Sequence, residues 1–271
     1  MSTTPGPTRF TPSADGTTIA YETTGHGPAL VVVDGAMCQR AMGPARGLAA
    51  ELADHFTVYA YDRRGRGESG AGASPWHVDR EIEDLSAIID AAGGSAHVFS
   101  ASSGAALSLL AAARGVKINK LVAYEAPFKV DGSAPPNDAD LDQQAASLVA
   151  AGRRGGAVKL FLKVVGVPGP ALVIMRLMPT WKQMIGIAHT LPYDLSIVVP
   201  DQQGRPLPAD RYTGVQQDTV VIAGGKSPDY MRNAQAAVVD QLPHGRLVTL
   251  PGQTHMIKAK ATAPVVIEHC S

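Results

Sequence analysis

One segment decides the predicted fold of this chain: Val98-Phe99-Ser100-Ala101-Ser102-Ser103-Gly104-Ala105. It lies where an apolar strand must turn abruptly into a helix. A serine at the apex of such a turn has a strained backbone and a free hydroxyl, and the residues two places before and after it must be small. Because Ser100 and Gly104 are small, the spacing predicts that Ser102 is a nucleophile.

Two other interpretations of this turn stay open. Ser103 also has small residues, Ala101 and Ala105, at the same offsets. A serine-rich helix cap without any chemistry has a similar pattern. We favour Ser102 because its following small residue is glycine, the smallest possible.

Strands and helices alternate on both sides of the turn. Strands are predicted at residues 17–21, 29–33, 56–60, 96–100, 120–124, 219–223 and 247–250. Helices are predicted at residues 46–55, 77–92, 103–114 and 230–241, with a closing helix toward residue 268. This alternation predicts an α/β fold with a mostly parallel, doubly wound sheet.

The region of residues 129–211 interrupts the alternation. It contains several helix-like segments and no convincing buried strand before Thr219. We interpret residues 1–128 as the first part of the core, residues 129–211 as an inserted helical lid, and residues 212–271 as the second part of the core. Within the first part, residues 1–7 are predicted to be a loose tail.

Composition narrows the class of protein. The 271 residues are 45% hydrophobic, and 24 basic side chains balance 24 acidic ones. This predicts one large domain with a small neutral ligand and no affinity for nucleic acid or membranes. Because no export signal or apolar span is present, we expect a cytoplasmic protein. Cys38 and Cys270 are expected to be ordinary thiols, and no motif indicates a metal or cofactor.

One glycine-rich stretch needs a separate interpretation. Residues 65–70 fit the dinucleotide pattern G-x-G-x-x-G, but they follow the predicted strand at residues 56–60, not the first strand, and continue as a loop. A dinucleotide site requires that pattern to open the helix after the first strand. We therefore expect the Asp62–Ser69 loop to brace the site instead.

A serine nucleophile needs a base and an acid that orients the base. Of the eight histidines, His255 follows the last strand and is expected to overhang the same edge of the sheet as Ser102. Three carboxylates compete for the role of the acid. Glu125 directly follows the predicted strand at residues 120–124, Asp229 follows the predicted strand at residues 219–223, and Asp194 lies in the lid.

The oxyanion of the reaction needs two backbone donors. The Ser103 amide begins a helix, where N–H groups point outward. The loop after the strand at residues 29–33 can supply the second donor through Gly35, whose small size lets the backbone approach closely. A turn glycine without chemistry is the alternative for Gly35.

Taken together, these motifs resemble those of the α/β-hydrolase superfamily. Ser100 and Ala101 stand where its elbow usually has Gly and His, and Asp34 replaces a usual His. The combination with Glu125-x-Pro127 is similar to the fungal zearalenone lactonases, which open a macrocyclic lactone. That resemblance implies that Glu125 is the acid. It also implies that Trp181 in the lid contacts the ligand. Ala36, Met37, His189 and Tyr193 are the other candidate substrate contacts.

The sequence thus predicts a serine hydrolase that cleaves a small, largely apolar carboxylic ester or lactone through an acyl-enzyme. The same fold and residues can support carbon–carbon hydrolysis, cofactor-free peroxidation or polyketide cyclisation. A binding protein without catalysis, which uses the lid cavity for a small ligand, is the third possibility. For the assembly we expect a monomer or a homodimer.

Overall fold

A computed structural model describes residues 4–73 and 75–271 of the chain. Within these ranges eight strands form one sheet. The strands are β1 (Arg9–Pro12), β2 (Thr18–Gly25), β3 (Ala29–Val33), β4 (Thr57–Tyr61), β5 (Ala96–Ala101), β6 (Ile118–Tyr124), β7 (Asp218–Gly224) and β8 (Gly245–Leu250).

The sheet has the order β1-β2-β4-β3-β5-β6-β7-β8. β1 and β2 are antiparallel to their neighbours, and the six strands β3 to β8 are parallel to one another. The central strands are continuous apolar runs because both of their faces are covered. The predicted mostly parallel α/β fold is confirmed. Since parallel strands end at the same edge, the loops after β3, β5, β6 and β8 meet there.

Helices cover both faces of the sheet. They are α1 (Ala45–Leu52), α2 (Val78–Ala91), α3 (Ser103–Ala113), α4 (Leu141–Ala150), α5 (Arg154–Val164), α6 (Gly169–Met175), α7 (Pro179–Ile187), α8 (Leu191–Val198), α9 (Asp229–Val239) and α10 (Ala259–Cys270). α3 is buried almost all round, and its alanines let it approach β5 and β6 closely. None of the described helices is long and apolar enough to span a bilayer.

Two apolar cores lie on opposite faces of the sheet. One contains alternate residues of β3 such as Val31 and Val33 together with α2, α3 and α9. The other contains Leu30 and Val32 of the same strand together with α1 and α10. This alternation follows from the two-residue period of a strand. Because both faces of the sheet are packed, the loops at its edge extend from a rigid base.

Five helices, α4 to α8, lie between β6 and β7 in the chain. They have an apolar cluster of their own, and that cluster also includes Met37 from the loop after β3. Because these helices stand where the sequence predicts a lid, we call residues 129–211 the cap region. The division into two core parts and a cap remains an interpretation.

The N-terminal part of the chain is more ordered than the sequence predicts. β1 pairs with β2, and the Gly6 amide donates to the Thr23 carbonyl at 2.9 Å. The strand is short, mostly exposed and ends in proline, so it lacks the apolar pattern that would predict it. The predicted tail therefore holds for residues 4–7 only in part, and residues 1–3 lie outside the described chain.

Candidate active site

Ser102 lies at the turn between β5 and α3. Its backbone has φ 56° and ψ −126°, a conformation that costs a non-glycine residue about 1–3 kcal/mol. The Ser102 amide donates to the Tyr124 carbonyl of β6 at 2.9 Å, which secures the strained turn to the sheet. Strain of this kind persists only where the surroundings enforce it, so the turn is a candidate functional position.

Small residues are required around this turn. A Cβ on Gly104 would lie 2.5 Å from the Val33 carbonyl oxygen, and a Cβ on Gly35 would lie 2.8 Å from Ser102 Cβ. Real Cβ atoms do not approach so closely. Ser100 is fully buried. The backbone packing therefore explains why glycine or a small residue stands at each of these positions.

His255 reaches the hydroxyl of Ser102. The distance from His255 Nε2 to Ser102 Oγ is 3.1 Å, within hydrogen-bond range. The imidazole belongs to the loop after β8, and that loop is tied to β6 because the Tyr124 hydroxyl donates to the Thr254 carbonyl at 2.6 Å. Two side chains 153 residues apart in sequence thus meet at the sheet edge.

Glu125 lies on the other side of the imidazole. Its Oε2 is 2.9 Å from His255 Nδ1, and its Oε1 accepts from the Gly224 amide at 2.7 Å. The carboxylate is fully buried, and burial of a charge is tolerated only where partners such as these compensate it. The backbone of Glu125 also has a positive φ of 46°. The contact fixes which ring nitrogen of His255 carries a proton.

The other two carboxylates do not reach His255. Asp229 is 73% exposed and pairs with Arg232 one turn further along α9. Asp194 is buried, but its oxygens bind Arg63, Arg66 and Ser103. Of the three acids that the sequence proposes, the structure brings Glu125 alone to the imidazole.

Several backbone amides near Ser102 have no acceptor among the described residues. Among residues 4–73 and 75–271, no hydrogen bond is formed by the N–H groups of Gly35, Ala36 and Ser103. The first turn of a helix leaves its amides free, which accounts for Ser103. Gly35 packs directly on Ser102, so its loop lies beside the hydroxyl. These amides include both donors that the sequence proposes, Gly35 and Ser103.

Three of the predicted substrate contacts lie together. Met37 and Trp181 belong to one apolar cluster, which joins the loop after β3 to α7. Ala36 precedes Met37 and is half-buried. This buried cluster packs the loop after β3 against the cap region.

The remaining two predicted contacts lie elsewhere. The Nε2 of His189 is 3.2 Å from where a Cβ on Gly65 would stand, and burial lowers the pKa of this histidine. Tyr193 stacks on Trp76 with ring centroids 4.7 Å apart and lines a surface depression of about 460 Å³. None of the candidate triad lines that depression. Tyr193 lies directly before Asp194 on α8. Because Asp194 turns inward and successive residues of a helix point about 100° apart, Tyr193 faces the surface depression instead.

A buried cluster of charges beneath the site is not apparent from the sequence. Arg63, Arg66, Glu81 and Asp194 are each at most 2% exposed. Burial alone would raise the pKa of Asp194, but Arg66 and Arg63 together hold it below its ordinary value. Acidic residues on a surface helix are ordinarily solvated, yet Glu81 of α2 turns inward to pair with Arg63. The signal for this was the accumulation of arginines directly after a buried strand.

Asp34 predicts a specific pH dependence of stability. Its side chain is buried with no hydrogen-bond partner among the described residues, and burial raises its pKa to about 7. An acid with a raised pKa contributes stability fully below its unfolded pKa of about 4, and this contribution is lost as the pH rises to 7. Asp34→Asn cannot ionise. The melting temperature of the variant relative to the wild type should therefore rise from pH 5 to about pH 7 and level off above it.

Thermal unfolding of both proteins across that pH range checks this expectation. The quantity to follow is the difference in melting temperature, because other carboxylates titrate equally in both proteins. A difference that is constant with pH would contradict the raised pKa of Asp34.

Comparisons with known proteins agree with this architecture. A sequence profile of the alpha/beta hydrolase family matches residues 26–259. The crystal structure of an alpha/beta hydrolase from Sphaerobacter thermophilus DSM 20745 is 47% identical, with a TM-score of 0.88 over 97% of this chain and 100% of that chain. No curated protein matches the sequence.

Two more distant structures share the fold alone. The enol-lactonase from Burkholderia xenovorans LB400 is 17% identical, with a TM-score of 0.71 over 96% of this chain and 99% of that chain. The 2-hydroxy-6-oxo-6-phenylhexa-2,4-dienoate hydrolase from Rhodococcus sp. strain RHA1 is 18% identical, with a TM-score of 0.66 over 97% and 99%. The profile match and the 47% identical structure extend over most of the chain, which therefore belongs to the alpha/beta hydrolase family.

Proposed function

We propose that this chain is a serine hydrolase that cleaves a carboxylic ester or a lactone of a small, largely apolar substrate through an acyl-enzyme. One observation carries the proposal. Ser102 Oγ, His255 and Glu125 form a continuous hydrogen-bonded chain with distances of 3.1 and 2.9 Å. A base that touches the nucleophile, and is itself oriented by a carboxylate, is the arrangement that activates a serine hydroxyl.

The proposed reaction has two halves. His255 Nε2 takes the proton of Ser102 Oγ while that oxygen attacks the carbonyl carbon, and the carbonyl electrons move onto its oxygen. Free amides of Gly35 or Ala36 and of Ser103 stabilise this anion. The intermediate then expels an alkoxide, which takes the proton from His255 and leaves an acyl group on Ser102. Water, deprotonated by His255, releases the acid and restores the hydroxyl.

Glu125 supports both halves without exchanging a proton itself. It accepts the Nδ1–H of His255, so the free lone pair of the imidazole is at Nε2, where Ser102 lies. The negative charge of Glu125 also stabilises the imidazolium that forms during each half-reaction.

The surroundings of the site favour a neutral, apolar substrate. The cluster of Met37 and Trp181 packs the loop after β3 against α7, so the surroundings of this loop are apolar. The nearby guanidinium groups of Arg63 and Arg66 are buried and paired with Glu81 and Asp194, so they offer no exposed cation for an anionic substrate. One protein with the same fold is an enol-lactonase, which supports a lactone as a candidate substrate here. The motif-level likeness to the zearalenone lactonases adds macrocyclic lactones to the candidates.

A substrate panel tests the proposal. Purified protein is assayed with p-nitrophenyl esters of graded chain length, small lactones and a macrocyclic lactone, with Ser102→Ala as the blank. We expect saturable hydrolysis of esters or lactones by the wild type, with a preference for apolar acyl groups. Turnover equal to that of the blank across the whole panel would contradict the proposal. A higher kcat/KM for the macrocycle than for every linear ester would support the narrower candidate.

A further inference from the structure

A buried ionic cluster connects the cap region with both parts of the oxyanion site. We define the Arg–Asp cluster as Arg63, Arg66 and Asp194. Asp194 lies on α8, and its Oδ1 accepts from Arg63 Nη1 at 2.7 Å, while its Oδ2 accepts from Arg66 Nη2 at 2.6 Å. Each member is at most 2% exposed. One carboxylate of the cap region therefore fixes two arginines of the core loop after β4.

The cluster holds the loop after β3 through its carbonyl groups. Arg66 Nη1 donates to the Gly35 carbonyl at 2.7 Å and to the Cys38 carbonyl at 3.2 Å, and Arg63 Nη1 lies 3.3 Å from the Asp34 carbonyl. Within the described chain, residues 35–38 form no backbone–backbone hydrogen bond. The two arginines thus provide the polar contacts that set the course of this loop.

These contacts also determine where the amides point. In a trans peptide the C=O and N–H groups point in opposite directions. Because Arg66 binds the Gly35 carbonyl, the Ala36 N–H points away from Arg66. For the same reason the Gly35 N–H points away from Arg63. Both N–H groups have no acceptor among the described residues, and Gly35 packs on Ser102.

The cluster holds the second part of the oxyanion site as well. The Ser103 hydroxyl donates to Asp194 Oδ1 at 2.8 Å and lies 3.3 Å from Arg63 Nη1. Ser103 begins α3 and carries the other free amide. Asp194 is therefore linked directly to the start of α3 and, through Arg66, to the loop after β3. We call these two the donor segments.

We propose that the Arg–Asp cluster positions the two donor segments of the oxyanion site relative to each other, so that Arg66 and Asp194 are positioning residues for hydrolysis. This inference rests on the serine hydrolase function proposed above. Neither side chain touches the reacting atoms. The cluster acts because a small displacement of either amide weakens the hydrogen bonds that form as the oxyanion develops.

Two variants loosen the cluster in different ways. Asp194→Asn replaces one carboxylate oxygen with an NH₂ group, which cannot accept from an arginine. Arg66→Lys keeps the positive charge, but a single ammonium cannot hold the Gly35 carbonyl and Asp194 with the planar fork of a guanidinium. Should the first variant fail to fold, the second, which leaves no uncompensated charge, decides the question alone.

The matched control is Asp84→Asn. Asp84 pairs with Arg64 at 2.7 and 2.6 Å, and both side chains are 1% exposed. The pair lies in the same Asp62–Ser69 loop and on α2, but it contacts neither donor segment. This control therefore reproduces the loss of a buried ion pair without loosening the oxyanion site.

The decisive readout compares two inhibitors of the same shape. A trifluoromethyl ketone forms a tetrahedral adduct with the serine whose oxygen is negative, whereas the corresponding methyl ketone binds mainly as the neutral carbonyl. For Arg66→Lys and Asp194→Asn we expect kcat to fall about 10- to 100-fold with KM changed less than about threefold. Affinity for the trifluoromethyl ketone should fall in parallel, and affinity for the methyl ketone should not. Asp84→Asn should lower the melting temperature and leave kcat and both affinities as in the wild type.

The other outcomes overturn one proposal or the other. If Arg66→Lys lowers the melting temperature as the control does, but keeps kcat and the affinity for the trifluoromethyl ketone, the cluster is structural and this inference fails. If the wild type neither hydrolyses esters or lactones nor binds the trifluoromethyl ketone, the proposed function itself fails.

Discussion

Replacing Ser102 with alanine is expected to lower kcat on an ester or lactone by about 10,000-fold or more. The reason is that the oxygen that attacks the carbonyl is lost, and the remaining groups of a serine–histidine unit cannot compensate. Steady-state kinetics of purified Ser102→Ala, with circular dichroism to check folding, measures the effect. KM is not a useful guide here because turnover is close to the background.

Ser103→Ala is the matched control for this prediction. It deletes the neighbouring hydroxyl, which binds Asp194 and Arg63, but keeps the free amide at the start of α3. We expect a loss of kcat within about tenfold, as for the removal of an indirect contact. If Ser103→Ala were inactive while Ser102→Ala kept its activity, the nucleophile would have been assigned to the wrong serine.

Replacing Glu125 with glutamine is expected to lower kcat by about 100- to 10,000-fold. The two oxygens of the carboxylate accept from two donors, the Nδ1–H of His255 and the N–H of Gly224. Glutamine has one oxygen, so one of these donors meets an NH₂ group instead. The imidazole then loses its preferred tautomer or its orientation toward Ser102.

Asp229→Asn measured under the same conditions is the comparison. Asp229 is exposed and pairs with Arg232, so its substitution should change kcat by less than about twofold. Activity that survives Glu125→Gln but is lost in Asp229→Asn would transfer the acid role to Asp229. Such a result would also require the loop after β7 to move toward His255.

The fold and the sharp turn at Ser102 are predictable from sequence because their determinants are local. A buried strand must be apolar on both faces, and the turn at Ser102 tolerates small residues alone at its flanks. The structure shows which atoms impose this steric rule, because Gly104 packs against the Val33 carbonyl. His255 was also found from position, because the loop after the last parallel strand reaches the same sheet edge as the turn.

The acid is harder to predict because Glu125 and Asp229 both follow parallel strands, and Asp194 in the predicted lid is a third candidate. The three carboxylates differ in their burial and in the groups that surround them in three dimensions. Glu125 is buried beside Gly224 and His255, and Asp229 is exposed to solvent. Asp194 is paired with two arginines. Burial and pairing of this kind depend on the packing of several helices and have no local signature.

The Arg–Asp cluster lies beyond sequence reasoning for the same physical cause. Charged side chains in a loop and on an amphipathic helix are ordinarily solvated, so the arginines of the Asp62–Ser69 loop and Glu81 indicate a polar surface. In the structure Arg63, Arg66 and Glu81 are buried, and Asp194 supplies a compensating charge to both arginines from a helix about 130 residues further along the chain.

Covalent labelling tests most directly whether His255 activates the hydroxyl of Ser102 for attack. The protein is treated with a fluorophosphonate, digested, and mapped by tandem mass spectrometry, beside His255→Ala as the variant without the base. We predict one phosphonate on Ser102, formed at least about 100-fold more slowly in His255→Ala. A phosphonate on Ser103, no label at all, or equal labelling rates in the two proteins would contradict the account.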